Sequence, residues 1–249
     1  MNDMVTMFAI GGTFLLAGTV KGIIGMGLPT ISLALLTIAT DLPTAMALLL
    51  VPSFFTNIWQ ALVGGNVVAI VRRIWPFLTM AAATVWLGVA VFARMQVSYL
   101  SALLGFLLIT YSLISLGGFR LTLSSHQETW AGPLVGAVNG VLTGMTGSFV
   151  VPGVMFLQSI GLSRDQLIQA MGALFTVSTL ALAIALQRNN MLSAELGVVS
   201  GLGLFPAILG MMAGQWVRRR LSEVVFRRVF FISLFILGGY VFFDALRTG

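Results

Sequence analysis

Two interruptions in the hydrophobic sequence bring together residue types that bind anions. The two segments are residues 17–29 (AGTVKGIIGMGLP) and residues 136–152 (GAVNGVLTGMTGSFVVP). Each contains a polar residue followed by glycine, Lys21 in the first and Asn139 in the second, and each continues through further glycines to a proline. A helix that restarts after such a break exposes backbone N–H groups and the positive end of its dipole, which attract negative charge.

Lys21 is the most informative single residue, because apolar residues surround it on both sides. An ammonium group in the middle of a membrane costs about 2.5–3.5 kcal/mol on insertion scales. A small anion in a hydrated cavity would offset that cost, whereas the alternative is a lysine that reaches the membrane surface along its flexible stem. Asn139, which the sequence pairs with Lys21, is neutral but both donates and accepts hydrogen bonds.

The glycines of both segments have two interpretations. Glycine permits a positive φ and a close approach of a ligand to the backbone, as a broken helix requires. Small residues spaced four apart, such as Gly140 and Gly144, also line the packed faces of membrane helices. The broken-helix interpretation predicts the following substrate-binding residues: Lys21, Gly25, Met26, Gly27, Asn57, Asn139, Thr143, Gly144, Met145, Thr146, Gly147 and Ser148.

Polar residues elsewhere in the apolar segments also have two interpretations. Ser53 and Ser178 fall at matching positions of the two halves, where they either line a pathway or bond to their own helix backbone. Pro52 removes one backbone donor and leaves a carbonyl group without its helical partner. Asp41 and Ser163 are expected to cap helices, and a gating ion pair among the charged residues of these loops is the alternative.

The composition predicts an all-α membrane protein, which must position these residues. Of 249 residues, 58% are hydrophobic and 8% are charged, whereas a soluble domain is about a quarter charged. A membrane-spanning helix needs about 20 apolar residues, and several segments of the chain reach that length. The predicted helical segments are 4–24, 28–40, 43–63, 68–93, 97–118, 130–143, 148–161, 163–187, 192–217 and 222–245.

The order of these segments predicts two repeats. Residues 1–118 form the first transmembrane repeat, residues 119–129 a polar linker with Arg120, His126 and Glu128, and residues 130–249 the second repeat. Each repeat would contain one broken, hairpin-like element followed by three spanning helices, or alternatively five full crossings. Glycine-interrupted segments at corresponding positions of two halves are typical of transporters.

The arginines predict that the two repeats are inverted. Arg72 and Arg73 mark the 64–74 loop as cytoplasmic, and five arginines mark the 217–228 loop in the same way. These two loops do not correspond in the repeat, so equivalent loops would face opposite sides of the membrane. The simplest arrangement has both termini outside and the linker inside.

The sequence contains little that could support an enzyme. It has no cysteine, and His126 is its single histidine. Neither a phosphate-binding P-loop, an HExxH motif nor a GxSxG motif occurs, and no acidic residue falls in the middle of a predicted span. Neither a cofactor nor a metal is expected, and nucleic acid is not an expected partner because the arginines are explained by membrane topology.

The residues around both breaks resemble those of the sulfite exporter TauE/SafE family. The similarity lies in KGIIGMGLP at 21–29 and NGVLTGMTGSFVVP at 139–152, and in their spacing to Asp41-Leu42-Pro43 and Leu162-Ser163-Arg164. It extends over nearly the whole chain, although Met26 and Leu28 interrupt the glycine run that usually follows the first break. The resemblance implies a multi-pass permease of the bacterial inner membrane that carries sulfur oxyanions or sulfonates, often exporting them.

The sequence therefore predicts a secondary transporter for a small anion, which binds between the two broken elements. The resemblance specifies sulfite or an organosulfonate and favours export. The alternatives are an anion channel, an uptake permease for another small oxyanion or carboxylate, and a membrane scaffold that transports nothing. The expected partners are the anion, the lipid bilayer and, for a homo-oligomer, further copies of the chain.

Overall fold

Both predicted interruptions separate one helix from the next in the computed structural model, which describes residues 4–118, 121–218 and 222–248. Within these ranges the chain is helical and contains no strand. The helices are α1 (Met4–Ile24), α2 (Leu28–Ala39), α3 (Leu42–Leu48), α4 (Leu50–Leu62), α5 (Val67–Ala83), α6 (Val85–Phe92), α7 (Val97–Gly117), α8 (Ser125–Thr146), α9 (Gly153–Ser159), α10 (Arg164–Arg188), α11 (Ala194–Arg218) and α12 (Glu223–Thr248).

The described residues contain six segments that are long and apolar enough to cross a membrane. They are α1, α5 with α6, α7, α10, α11 and residues Val224–Arg247 of α12. Helices α3 and α4, which meet at a bend of 45°, form a seventh if they count as one span. The all-α, multi-pass class is therefore confirmed, whereas the inverted orientation of the repeats stays a prediction.

The predicted segment 43–63 is divided because of Pro52. A proline has no N–H group to donate to the carbonyl four residues earlier, which here belongs to Leu48. The hydroxyl of Ser200, on α11, donates instead to the Leu48 carbonyl at 2.6 Å, and its oxygen accepts the Val51 N–H at 3.1 Å. One serine thus completes the backbone bonding where α3 ends and α4 begins.

Helix α8 is longer than the predicted segment 130–143 and begins inside the predicted linker. Ser124 and Gln127 form a capping box, in which the Ser124 side chain accepts the Gln127 N–H and the Gln127 side chain accepts the Ser124 N–H. This pairing satisfies two N–H groups at the start of a helix. His126 and Glu128 therefore lie in the first turn of α8, while Arg120 lies outside the described residues, as do Arg219 and Arg220 of the 217–228 loop.

The chain divides into two compact units. The first unit contains residues 1–52, 95–118 and 191–249, and the second contains residues 53–94 and 119–190. Each unit draws helices from both halves of the sequence, so the units differ from the predicted repeats. The repeat boundaries stay a prediction.

Close contacts through glycine hold neighbouring helices together in each unit. In the first unit, α1 packs on α11, and a β-carbon added at Gly18 or Gly22 would overlap the carbonyl oxygens of Ala207 or Met211. In the second unit, α8 packs on α5 and α6 in the same way. There, β-carbons at Gly136, Gly140 and Gly144 would overlap the carbonyl oxygens of Phe77, Ala81 and Val85. Backbones can approach this closely only where no side chain intervenes.

Candidate functional site

The first break lies within the first unit, where α1 ends and α2 begins. The N–H of Gly25 donates to the carbonyl of Lys21 at 2.8 Å and closes the last turn of α1. Gly25 and Gly27 have φ angles of 79° and 105°, a region that side-chain-bearing residues rarely adopt. The predicted break at Gly25–Gly27 is therefore present.

Lys21 lies in the last turn of α1 and is buried, with 3% of its surface exposed. It is the only charged residue buried among those that the structure describes. The described acidic side chains, in contrast, are exposed or half-buried. The structure thus places one ammonium group inside the protein, next to a point where the helix backbone is interrupted.

Two other helices of the first unit pack against this break. The hydroxyl of Tyr111, on α7, contacts the sulfur of Met26 at 3.5 Å. The ring of Phe230, on α12, lies 3.2 Å from the place that a β-carbon on Gly27 would occupy. Sequence reasoning missed both aromatic residues, because an aromatic residue inside an apolar helix gives no sign of which neighbour it contacts.

The second break lies within the second unit, between α8 and α9, and its threonines hold the end of α8. The N–H of Gly147, which has a φ of 73°, donates to the Thr143 carbonyl at 2.7 Å. The Thr143 hydroxyl donates to the Ser148 carbonyl at 3.0 Å, and the Thr146 hydroxyl donates to Leu142. The Ser148 N–H in turn donates to the Thr146 hydroxyl oxygen at 3.2 Å. These donors shape the break.

Gly144 and Met145, also predicted in the site, lie inside α8. Gly144 packs on α6, where an added β-carbon would be 2.7 Å from the Cα of Gly88. Met145 is half-buried in the last turn. The contacts of Gly144 favour the helix-packing interpretation for this glycine, and the interruption of the helix begins at Gly147.

Asn139 joins the two helices on either side of the second break. Its side-chain oxygen accepts the N–H of Gly153, the first residue of α9, at 2.9 Å. The residue is fully buried. Asn57, the other predicted asparagine, lies on α4 and is also fully buried. Its backbone carbonyl oxygen would lie 3.0 Å from a β-carbon on Gly172 of α10. Within the second unit, the structure thus places both asparagines next to closely packed glycines.

The two breaks share one arrangement of glycines. Gly22 and Gly144 each lie against the partner helix, and each precedes a positive-φ glycine, Gly25 or Gly147, by three residues. Gly140, next to Asn139, also lies against a backbone carbonyl of the partner helix. The pairing of Lys21 with Asn139 in the two repeats stays a prediction.

The predicted helix caps are confirmed. The Asp41 carboxylate accepts the Thr44 N–H at 2.7 Å and starts α3, and Ser163 forms a capping box with Gln166 at the start of α10. A cavity of about 350 Å³ beside Asp41 in the first unit is lined by residues that include Asp244 and Ser98. Two carboxylates on its wall disfavour an anion there. The described residues contain no group of three acidic or histidine side chains that could hold a metal.

A comparison with protein families gives one match that covers nearly the whole chain. The family model described as sulfite exporter TauE/SafE matches residues 10–241. The comparison with curated proteins and the comparison with solved structures found no match.

Proposed function

The chain belongs to the sulfite exporter TauE/SafE family, and we propose that it moves sulfite or an organosulfonate out of a bacterial cell across the inner membrane. Its family and its six candidate spans make it a multi-pass membrane transporter. The identity of the anion, the direction of transport and the binding residues are the proposal. The prediction that one anion contacts both broken elements stays a prediction.

The observation that carries this proposal is the burial of Lys21 at the first break. A charged side chain inside a membrane protein is costly to keep and marks a substrate or ion pathway by default. Lys21 is such a side chain, since it is the only buried charge among the described residues and lies at the interrupted end of α1. An anion next to the ammonium group would lower the cost of its burial, so the site favours negatively charged substrates.

The two breaks support transport by a carrier. Interrupted helices near the middle of the membrane form the substrate sites of many secondary transporters, in which parts of the protein rock around the site. Lys21 would supply positive charge, and Asn139 and Asn57 would supply neutral hydrogen bonds. Thr143, Thr146 and Ser148 would keep the second break in shape, since their mutual hydrogen bonds close the end of α8.

Replacement of Lys21 tests the proposal. Purified protein in vesicles loaded with sulfite should release sulfite, and Lys21→Gln should slow release about tenfold or more. Hydrogen bonds to charged groups contribute about 1.5–3 kcal/mol, and about 1.4 kcal/mol corresponds to a factor of ten. Sulfite released into the medium is the measured quantity. If the protein is a carrier, sulfite added outside the vesicles should accelerate release. If it is a channel, added sulfite should not accelerate release.

Arg94→Gln is the matched control, because it removes one positive charge from an exposed residue. This variant should release sulfite at the wild-type rate. Release at the wild-type rate from vesicles that contain Lys21→Gln would contradict the role of Lys21. If vesicles with the wild-type protein release neither sulfite nor methanesulfonate, the proposed substrate class is wrong.

A further inference from the structure

The second unit contains buried hydrogen-bonding groups that its own fold leaves unused. The Asn139 amide nitrogen and the hydroxyl groups of Ser53 and Ser178 have no hydrogen-bond partner among the described residues. All three residues are fully buried. Most buried polar groups in proteins are hydrogen-bonded, and those that are not call for an explanation such as a functional role, a bound water or an ion.

The orientation of the Asn139 side chain follows from its one hydrogen bond. The Gly153 N–H is a donor and requires an acceptor, so the side-chain oxygen of Asn139 must face Gly153, at 2.9 Å. The amide NH2 group then points elsewhere and offers two donors. Whatever occupies the space beside this group must present a hydrogen-bond acceptor.

Ser178 differs from its neighbours on α10. The hydroxyls of Thr176 and Thr179 donate to the carbonyls four residues earlier, at 2.7 and 2.6 Å, which is the usual arrangement in a helix. Ser178 lies between these two threonines in the sequence and is buried. Its hydroxyl forms no such bond within the described chain. A serine that does not use its own helix carbonyl keeps its proton for another acceptor.

Asn139 and Leu174 of α10 face each other across Gly153. Gly153 lies close to both residues. A β-carbon added at Gly153 would be 2.6 Å from the Asn139 side-chain oxygen and 2.9 Å from the Leu174 side chain. Ser178 follows Leu174 by one helical turn and so shares its face of α10. Ser53, in contrast, shares a face of α4 with Asn57. The backbone carbonyl of Asn57 lies beside Gly172 of α10. Gly172 and Ser178 point in directions about 120° apart around α10.

Charged residues contribute little to this part of the protein. The described arginines of the second unit, and His126, are all exposed. The donors available in its interior are therefore neutral. Neutral donors recognise a ligand by the number and direction of its acceptor atoms and disfavour any ligand that places an N–H or ammonium group against them.

We propose that Asn139 and Ser178 form a neutral, donor-based subsite for the oxygen atoms of the transported anion. The proposal rests on the proposed function and narrows its substrate class to oxyanions whose oxygen atoms lack protons, such as a sulfonate head group. The amine of an aminosulfonate would point away from this subsite. Ligand oxygens would satisfy donors that the protein alone leaves unsatisfied.

Binding of methanesulfonate to the purified full-length protein tests this subsite. Ser178→Ala and Asn139→Asp should each raise the dissociation constant about tenfold or more, because each removes a donor to a charged ligand. Asn139→Asp keeps an oxygen for the Gly153 N–H and replaces the NH2 group, with its two donors, by a carboxyl oxygen. Thr179→Val is the matched control, since the Thr179 hydroxyl is also buried but bonds to Phe175, and it should bind as the wild type does.

Thermal unfolding without the anion separates a ligand-binding role from a structural one. Ser178→Ala should unfold at the wild-type temperature or above it, because the change removes an unsatisfied buried hydroxyl. A lower unfolding temperature would show that the hydroxyl serves the fold and would overturn the proposal. Unchanged binding in both Ser178→Ala and Asn139→Asp would overturn it as well.

The outcome for Lys21 distinguishes the two proposals. If Lys21→Gln loses sulfite release while Ser178→Ala and Asn139→Asp bind methanesulfonate normally, the subsite is wrong and the proposed function stands. If wild-type protein binds neither methanesulfonate nor sulfite, both proposals are wrong. Weakened binding in the two second-unit variants, with normal binding in Thr179→Val, supports the subsite, whereas the proposed function is supported by sulfite release that Lys21→Gln slows.

Discussion

At the scale of single residues, the two units contribute different chemistry at their breaks. The first unit buries the ammonium group of Lys21, and the second unit buries the amide of Asn139. A charge and a neutral donor act differently on an anion. The charge attracts any anion over several ångströms, whereas the neutral donor acts only at hydrogen-bond distance and in one direction.

Removal of the Lys21 charge should separate function from stability. A buried ammonium costs about 2.5–3.5 kcal/mol on membrane insertion scales, so Lys21→Met should leave the unfolding temperature unchanged or raise it while slowing sulfite release about tenfold or more. Thermal unfolding in detergent and vesicle release measure the two effects. Ile24→Met, a neighbouring buried change without loss of charge, should preserve both properties. A Lys21→Met protein that unfolds at a clearly lower temperature would show that Lys21 serves the fold.

At the scale of helices, glycine has two separate tasks in this chain. Gly25 and Gly147 end helices with a positive φ, whereas Gly22 and Gly144 lie where two helix backbones touch. Both tasks exclude a side chain, but for different reasons. A β-carbon strains the backbone at a positive φ, and at a helix contact it overlaps the neighbouring carbonyl group.

The helix contact of Gly22 predicts a selective loss of stability. Gly22→Ala would force α1 away from the Met211 carbonyl of α11, and overpacking of this kind costs about 1–3 kcal/mol. The unfolding temperature of the purified protein should fall accordingly. Gly12→Ala on the same helix is the control, because a β-carbon there meets nothing within 4 Å, and alanine improves the helix propensity. Equal unfolding temperatures for the two variants would contradict the close packing.

At the scale of the whole molecule, the second unit places two loops at opposite ends of one helix. The Asn66 N–H donates to the Gln169 side chain near the start of α10, at 3.3 Å, while Asn189 caps the end of α10. Helix α10 has 25 residues, and 1.5 Å per residue makes it roughly 37 Å long, enough to cross a bilayer. The loops before α5 and after α10 should therefore face opposite sides of the membrane.

The absence of cysteine from the sequence allows a direct test of this topology. Val63→Cys and Gln187→Cys introduce single thiols at exposed residues at the two ends of α10. Because Arg72 and Arg73 mark the first loop as cytoplasmic, an impermeant maleimide should label Gln187→Cys in intact cells and Val63→Cys only after permeabilisation. The unaltered protein gives the background. Labelling of both thiols from the same side would contradict the predicted orientation.

Features that depend on a few neighbouring residues were determined by the sequence alone. Apolar length predicts membrane-spanning helices, a glycine run before a proline predicts each break, and Asp41 and Ser163 predict helix starts. Each of these depends on local hydrophobicity or on hydrogen bonds within one turn, so the sequence contains the needed information.

Contacts between distant residues were decided only by the tertiary structure. The sequence could not assign Gly144 to a helix contact and Gly147 to the break, because these assignments depend on where α8 touches its partner helices. Nor could it show that Ser200 bonds the Leu48 carbonyl while Ser178 keeps its hydroxyl unused within the described chain. Identical side chains differ in role because three-dimensional packing determines which acceptor each one reaches.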